Sequence, residues 1–419
     1  MAGSRESPPL ESERPGVRRA LVLSGGGARG AYEAGVLDYV LGQLPRRLGH
    51  VPRFDIYSGT SVGAVNACHM AAHADDPAAG AAALQSLWRE LSFGNVYRFD
   101  LRAASSFLWA LFGFASGRPV TETAGSRIHG LLDTSPLESL VVGRIPWRRL
   151  RRNLHRGLVD TLCVATTEIA TGRSVVFVGN RKGDVPTWTR DEMHVAHPAR
   201  LGPQHALASA AIPFLFPAVR LGETYYCDGG LRQQAPLAPA LRLGANRVLV
   251  VGLRQRRFRP LDDRVSGQRL EQFRSAGFLL GKLLNSLLSD RLEYDLDHMR
   301  VINRMLREGL EVHEDGHRIG ESVARERGLG FRIVEDCFVR PSQDIGAIAS
   351  EHVRRLLRKP GRATMGRWIF RFLNRGAPQD EADLMSYLMF DGEYASELVE
   401  LGRSDAAAME EELLRFFSE

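Results

Sequence analysis

The chain has 419 residues, 44% of them apolar and 25% charged, an ordinary globular composition that allows a large buried core. Its formal net charge of +6 permits contact with an anionic membrane surface, but no nucleic-acid-binding signature accompanies the dispersed basic residues, so no nucleic-acid partner is expected. No apolar run reaches the length of about 18 residues that a membrane-spanning helix needs, so the sequence predicts no such helix.

The first 17 residues are polar and contain prolines, and they lack the apolar core of a secretory signal. They predict a disordered N-terminal lead. Neither end carries a lipidation motif, so we expect a protein of the cytoplasm or of the membrane periphery. The cysteines lie apart among apolar neighbours, as is typical of buried free thiols in a reducing compartment rather than of disulfides or metal ligands. They are Cys68, Cys163, Cys227 and Cys337.

A glycine-rich stretch follows the first predicted strand, residues 19–23, and leads into a predicted helix over 31–44. Consecutive glycines at such a junction leave backbone N–H groups free to bind an anion above the start of the helix. The stretch therefore suits an oxyanion hole, whose donors are fixed before the reaction begins. Arg29 can add positive charge there or hold the loop by hydrogen bonds. The candidate oxyanion-hole residues are Gly25, Gly26, Gly27, Ala28, Arg29 and Gly30.

The same glycines satisfy the G-x-G-x-x-G pattern of dinucleotide-binding domains. That pattern expects an acidic residue near the end of the second strand, where it binds the ribose. Here the second predicted strand, residues 54–58, has Asp55 near its start and no acid at its end. No Gly-Lys-Ser/Thr sequence follows the glycines either, so nucleotide binding is kept only as a minor alternative.

The second predicted strand runs into the sequence G-T-S-V-G at residues 59–63, and a helix of small residues is predicted over 62–72. A G-x-S-x-G sequence between a strand and a helix is typical of a nucleophile elbow, in which a sharp turn lifts the serine hydroxyl into a cleft. The partial positive charge at the helix start favours a nearby oxyanion. Alone, the sequence also fits an ordinary tight turn. If the sequence forms an elbow instead, Ser61 is the candidate nucleophile, and Gly59 and Gly63 are the elbow glycines.

The segment from Phe93 to Ala115 is rich in aromatic and aliphatic side chains. It can form a cap that admits apolar chains or enters a membrane interface, or it can pack against the core. In either arrangement we expect it to border the substrate pocket.

Three further strands are predicted over 161–166, 174–178 and 224–227, and the sequence Thr-Gly at 171–172 predicts a hairpin turn between the first two. Asp-Gly-Gly follows the third strand and places a carboxylate in a loop at a strand end. Alone, the sequence Asp-Gly-Gly is typical of an ordinary turn. It indicates a functional site only together with the serine and glycine motifs that precede it. The residues are Asp228 as candidate acid and Gly229 and Gly230 as acid-loop glycines.

A histidine after the acid would complete a catalytic triad in the order serine, acid, histidine. The histidines that follow Asp228 lie outside any recognisable motif, and we predict that each lies at the surface. They are His298, His313, His317 and His352. The sequence therefore indicates a dyad in which Asp228 itself is the base for Ser61.

The last core strand is predicted over 247–253, after which the composition changes. A long amphipathic stretch covers 268–307, another strand is predicted over 332–339, and the pattern from Ile345 onward is mainly helical. We therefore predict a disordered lead over 1–17, a catalytic core over 18–253, and a mainly helical extension over 254–419 that packs on the core.

With these motifs in this order, the chain resembles the patatin-like phospholipases. Residues 25–30 match that family's glycine-rich oxyanion loop, residues 59–63 its G-x-S-x-G, and residues 228–230 its D-G-G/A. The stretch over 209–217 also resembles the family's usual lead-in to the acid. The resemblance covers about residues 18–253 and implies an α/β fold, with three layers (α/β/α) around a mostly parallel central sheet.

The resemblance implies a lipid acyl hydrolase that needs neither a metal nor an organic cofactor. Ser61 would attack an ester carbonyl, Asp228 would accept its proton, and the amides of residues 26–28 would hold the oxyanion. A cleft with little water would raise the basicity of Asp228. The expected substrate is a phospholipid or another acyl-ester lipid. A general esterase, an acyltransferase and a non-catalytic lipid-binding protein of the same fold stay as alternatives.

Overall fold

The computed structural model describes residues 16–99, 130–185, 192–255, 292–312, 332–358 and 383–418. The strands of this part are β1 Arg19–Leu23, β2 Ile56–Thr60, β3 Arg98–Phe99, β4 Leu132–Asp133, β5 Thr161–Glu168, β6 Ser174–Asn180, β7 His194–Pro198, β8 Val219–Leu221, β9 Thr224–Asp228, β10 Arg247–Val251 and β11 Glu335–Val339. The helices are α1 Ala31–Asp38, α2 Pro45–Leu48, α3 Val62–Ala72, α4 Pro77–Arg89, α5 Phe93–Val96, α6 Ser135–Arg144, α7 Trp147–Arg156, α8 Pro203–Ser209, α9 Leu237–Arg242, α10 Leu292–Val312, α11 Ile345–Arg358, α12 Asp383–Leu388, α13 Gly392–Ala408 and α14 Glu410–Phe417.

The main sheet has the strand order β11-β10-β1-β2-β5-β6-β7. The strands from β11 to β5 run parallel, whereas β6 turns back beside β5 through the predicted hairpin at 171–172. The short strand β9 pairs antiparallel with the end of β5 and with β8. The prediction of a mostly parallel central sheet is therefore confirmed.

Two apolar cores lie on opposite faces of the sheet. Side chains alternate along β1, so that Leu21 and Leu23 belong to one core and Ala20 and Val22 to the other. The first core includes buried residues of α1, α3, α4 and α13, and the second includes buried residues of α9 and α10. Helices thus cover both faces, which gives the predicted three layers.

Some strand boundaries differ from the predicted ones. β2 starts at Ile56 rather than at Phe54, because Asp55 bonds Arg19 through both its backbone N–H and its carboxylate, at 2.9 and 2.7 Å. The edge strands β7 and β8 were not predicted. β7 is only partly buried and ends in a proline, so it shows neither the alternation nor the apolar run of a core strand.

The histidine predictions have mixed outcomes. His298 is exposed as predicted, and His313 and His317 lie outside the described residues. His352 was predicted at the surface, and this is wrong: it is only 1% exposed, with Nε2 3.0 Å from Oδ1 of Asp391. α11 buries its face at Ile345, Ala349, His352 and Val353, a helical spacing that carries the histidine inward.

Two other sequence predictions concern the cysteines and the aromatic segment. All four cysteines are buried free thiols, as predicted. Most of the aromatic segment over 93–115 lies outside the described residues, from residue 100 onward. Tyr97, near its start, is buried and donates a hydrogen bond to the carbonyl of Leu388 at 2.8 Å.

The described parts of the C-terminal region are in close contact with the rest of the fold. β11 extends the sheet beside β10, and the hydroxyl of Tyr32 on α1 donates to the carboxylate of Asp405 on α13 at 3.0 Å. The ring of Phe417 on α14 lies 5.7 Å from that of Phe54. The division of the chain at residue 253 stays a prediction.

Candidate active site

The ends of β2 and β9 meet on neighbouring residues of β5. Thr60 pairs with Ala165, and Asp228 pairs with Thr166. Because β2 runs parallel to β5 and β9 runs antiparallel to it, the two strands end head to head. Ser61 directly follows β2, so this topology brings it to Asp228 although 167 positions separate them in the sequence.

Ser61 stands in a sharp turn between β2 and α3. Its φ of 55° and ψ of −127° are rare for a residue with a side chain, and they are typical of a strained site. A Cβ on Gly59 would lie 2.3 Å from the carbonyl oxygen of Gly63, so the turn closes only with glycine there. The backbone N–H of Ser61 donates to Oγ of Ser209 at 2.8 Å. This is the geometry of a nucleophile elbow.

Ser61 and Asp228 are joined by a direct hydrogen bond, with no histidine between them. Oγ of Ser61 donates to Oδ2 of Asp228 at 2.6 Å, and the N–H of Gly230 donates to Oδ1 of Asp228 at 2.7 Å. Gly229 and Gly230 begin a short 3₁₀ turn after the acid. Burial raises the pKa of Asp228 from 3.8 to about 6, and the hydrogen bonds from Ser61 and Gly230 oppose this shift. Asp228 is thus a stronger base than an exposed carboxylate.

The glycine-rich loop lies directly beside Ser61. A Cβ on Gly25 would lie 3.1 Å from Cβ of Ser61. The N–H of Gly25 donates to the carbonyl of Gln234 at 2.9 Å, so this amide holds the loop in place and is not free for an oxyanion. Within the described residues, the N–H of Gly26 has no backbone acceptor. Gly27 begins the 3₁₀ turn that precedes α1 and lines the same cavity as Ser61.

The remaining residues of the loop are in contact with the surrounding fold. Ala28 is buried, and the carbonyl of Gly30 accepts a hydrogen bond from the Asn66 amide at 3.2 Å. Arg29 is only 4% exposed, and its Nε donates to Oγ of Ser386 at 2.8 Å. The structure therefore groups Ser61, Asp228 and the front of the loop, while Arg29 reaches toward the C-terminal region.

A cavity adjoins Ser61. Its walls along α3 extend from Ser61 to His69, a distance of about 12 Å at the rise of an α-helix. Most other lining side chains are apolar, among them Val65, Leu84, Leu87, Trp88, Phe216 and Phe390. A long apolar cavity with few polar groups is typical of a site for an extended apolar ligand.

A buried carboxyl group supports the loop from behind. Glu33 on α1 is fully buried and accepts a hydrogen bond from the Asn66 amide at 2.8 Å. Asn66 in turn accepts from the Trp88 indole at 3.2 Å, so one network joins α1, the loop and the cavity wall. Burial raises the pKa of Glu33 to about 8. This shift favours the protonated form of Glu33 at neutral pH.

Several residues of this site were not found from the sequence. Ser209 accepts from the Ser61 amide, Oγ1 of Thr167 donates to the Asp228 carbonyl at 2.9 Å, and Ser386 accepts from Arg29. Ser209 begins the stretch that resembles the family's lead-in to the acid, and this stretch was its only sequence signal. Thr167 and Ser386 lie outside any motif.

Two classes of feature are absent from the described part of the chain. It holds no group of three or more histidine, cysteine, aspartate or glutamate side chains placed to bind a metal ion. None of its helices combines the length and the apolar character that crossing a membrane requires.

The chain was compared with known proteins. Solved structures that resemble the chain include VipD from Legionella pneumophila, with 13% identity over 92% of this chain and 67% of that chain, at a TM-score of 0.32. Human GIVD cytosolic phospholipase A2 has 12% identity over 96% and 63%, at a TM-score of 0.37. ExoU of Pseudomonas aeruginosa, in complex with SpcU, has 15% identity over 90% and 71%, at a TM-score of 0.26. The chain thus spans less than two thirds of the length of the human enzyme.

Comparison with curated proteins gave no match. The family model of the patatin-like phospholipases matches residues 21–241, which include the glycine-rich loop, the serine elbow and the acid. Since this match covers more than half of the sequence, the chain belongs to the patatin-like phospholipase family.

Proposed function

We propose that the protein is a lipid acyl hydrolase of the phospholipase A type, with Ser61 as nucleophile and Asp228 as general base. The observation that carries this proposal is the 2.6 Å hydrogen bond between the two side chains at the wall of an apolar cavity. Family membership supports lipid hydrolysis as the class of reaction.

Acylation follows from this geometry. Oγ of Ser61 attacks the ester carbonyl carbon while its proton passes to Oδ2 of Asp228. The carbonyl oxygen becomes an oxyanion, which the N–H groups of Gly26, Gly27 and Ala28 stabilise together with the positive start of α3. The intermediate then expels the alcohol, which takes the proton from Asp228. The acyl group stays bonded to Ser61.

In deacylation water takes the place of the alcohol, and the steps of acylation run in the opposite direction. Asp228 accepts a proton from the attacking water, and the oxyanion forms at the same position. When the tetrahedral intermediate collapses, Oγ of Ser61 leaves and recovers the proton from Asp228. The products are a fatty acid and the free enzyme.

The cavity supports a lipid as the substrate. Its walls along α3 and α4 offer an acyl chain an apolar environment that excludes water, which is worth about 0.8 kcal/mol for each buried methylene group. The formal net charge of +6 favours peripheral contact with an anionic membrane, from which such a substrate would be taken.

The test is the release of fatty acid from phospholipid vesicles and from p-nitrophenyl esters, with and without a chelator. Wild type, Ser61→Ala and Asp228→Asn are compared with two control variants. Ser396→Ala removes a hydroxyl that bonds the carbonyl of Gly392 on its own helix, and Asp160→Asn removes a carboxylate paired with Arg18 at the opposite end of β5.

Both site variants are expected to lose at least about a thousandfold in kcat, because each removes a group that reacts directly. The controls are expected to match the wild type, and the chelator is expected to have no effect. Vesicle binding by an inert wild type would instead favour a lipid-binding protein. Full activity of Ser61→Ala would refute the proposed nucleophile. Acyl transfer to an added alcohol at the expense of fatty acid release would favour an acyltransferase.

A further inference from the structure

A C-terminal segment, residues 385–390, touches both the glycine-rich loop and the cavity. The family match ends at residue 241, so this segment lies far outside the part of the chain that carries the motifs. It comprises the end of α12 and the connection to α13. All six of its residues are buried.

The first contact is made by Arg29. Its Nε donates to Oγ of Ser386 at 2.8 Å, and its guanidinium carbon lies 4.0 Å from the centre of the Tyr387 ring. Both interactions use the planar, delocalised guanidinium rather than its charge alone. Of the two roles open to Arg29, these contacts favour holding the loop over adding charge to the oxyanion.

The second contact is made by the loop's backbone. Gly27 has φ of 57°, and a Cβ there would lie 2.2 Å from the carbonyl oxygen of Tyr387. The segment therefore packs directly against the residue whose amide is a candidate oxyanion donor. Any shift of Tyr387 would change the space behind Gly27.

The segment is itself fixed at its far end. The Leu388 carbonyl accepts from Tyr97, and the ring of Phe390 stacks on Trp88 with centroids 6.2 Å apart and an interplanar angle of 13°. Phe390 lines the cavity. Next to it, Asp391 bonds the buried His352 and accepts from the first amides of α13. A segment held at this end can hold the loop in turn.

We propose that residues 385–390 are a positioning element of the active site, which fixes the glycine-rich loop through Ser386, Tyr387 and Arg29. This inference rests on the proposed hydrolase function and adds to it a part of the site that the family's motifs do not contain. Arg29 and Ser386 act as positioning residues, since they hold the loop and do not touch the reacting atoms.

The experiment is a double-variant cycle with Arg29→Lys, Ser386→Ala and the combination. Lysine keeps the charge of Arg29 but lacks its Nε donor and its flat face. Ser396→Ala is the matched control, because its hydroxyl belongs to the same region but bonds within α13. kcat and KM are measured on p-nitrophenyl butyrate, and kcat is expressed per serine titrated with an organophosphorus inhibitor.

Each single variant is expected to lower kcat per titrated site by about tenfold to a hundredfold, less than the loss of an oxyanion donor itself, with KM changed by less than about threefold. The double variant is expected to resemble the worse single variant, because both changes break the hydrogen bond between Arg29 and Ser386. Ser396→Ala is expected to match the wild type.

The outcomes separate the two proposals. Wild type without Ser61-dependent turnover would overturn the hydrolase and this inference together. An active wild type with unchanged kcat per titrated site in both variants would overturn the inference alone. The inference would fall equally if the variants lost titratable sites while each remaining site kept its rate, because the segment would then serve only the stability of the fold.

Discussion

At the scale of single residues, burial determines what each acid can do. The pKa of Asp228 rises from 3.8 to about 6, mainly because burial disfavours the charged form. Its two hydrogen bonds, from Ser61 and Gly230, limit the rise. The carboxyl group is therefore mostly ionised at neutral pH and still basic enough to take a proton from a hydroxyl that attacks an ester.

This pKa predicts how activity depends on pH. Only the ionised form of Asp228 accepts a proton, so kcat/KM on a soluble ester is expected to rise with pH and to level off above a midpoint near 6. A pH series of kcat/KM measures the midpoint. The exposed-acid variant Asp160→Asn should leave the curve in place. A midpoint near 4 would show that burial does not raise the pKa of Asp228, and a curve with no acid limb would speak against Asp228 as the base.

Glu33 predicts a pH dependence of stability instead. Its folded pKa of about 8 lies above the ordinary 4.5, so its contribution to stability is fully present below about pH 4.5 and is lost as the pH rises through 8. The whole loss is of order 3–5 kcal/mol. Glu33→Gln keeps the shape of the neutral acid, so its free energy of unfolding is expected to fall less between pH 5 and 8.

Denaturant unfolding at several pH values tests this prediction. Glu223→Gln is the matched control, because Glu223 is an exposed glutamate at the turn between β8 and β9. Its curve is expected to follow that of the wild type. Parallel curves for the wild type and Glu33→Gln would show that Glu33 does not hold a proton in the folded protein.

At the scale of elements, the candidate site residues could be predicted from the sequence where they lie in local motifs. The glycine-rich loop, the elbow and the acid are short motifs at strand ends, and the head-to-head meeting of β2 and β9 then brings them together. Arg29 and Ser386 are 357 positions apart in the sequence, and neither a periodicity nor a motif predicts that they are in contact. His352 differs again, since the helical spacing of α11 carried a signal for its burial that was not used.

Helices α3 and α4 form the long walls of the cavity and run in opposite directions along it. Trp88 of α4 bonds Asn66 near the start of α3, whereas the Gly80 carbonyl lies 3.0 Å from Nε2 of His69, further along α3. Leu84 lies between Gly80 and Trp88 on α4 and lines the cavity away from Ser61. Side chains at this depth are expected to set the length of acyl chain that fits.

Enlarging Leu84 tests this. Leu84→Phe is expected to lower kcat/KM about tenfold for p-nitrophenyl palmitate and less than about twofold for the butyrate, since only the long chain reaches that depth. The larger ring is expected to reduce stability by about 1–3 kcal/mol, so rates are compared well below the melting temperature. Val142→Phe, on the exposed face of α6, is the control. Equal losses on both esters would show that Leu84 does not determine chain length.

At the scale of the whole molecule, the C-terminal region and the motif-bearing part share their cores. Leu398 and Val399 of α13 belong to the same buried cluster as Leu21 and Leu23 of β1. β11 covers the edge of β10, which would otherwise expose a parallel strand's unpaired backbone groups. The cluster thus joins residues on both sides of position 253.

A chain that ends at Leu253 is therefore expected not to fold stably. It would expose the face of α1 that packs on α13. The hydroxyl of Tyr32 would lose its hydrogen bond to Asp405, and Phe54 would lose its contact with the ring of Phe417. We expect aggregation, no cooperative unfolding and no labelling of Ser61 by an organophosphorus inhibitor. Removal of residues 1–15 is the control, because the sequence predicts a disordered lead there, and it is expected to leave labelling intact. A chain ending at Leu253 that unfolds cooperatively and labels at the normal rate would instead make residues 254–419 an accessory unit, and the positioning role of Ser386 would fall with that result.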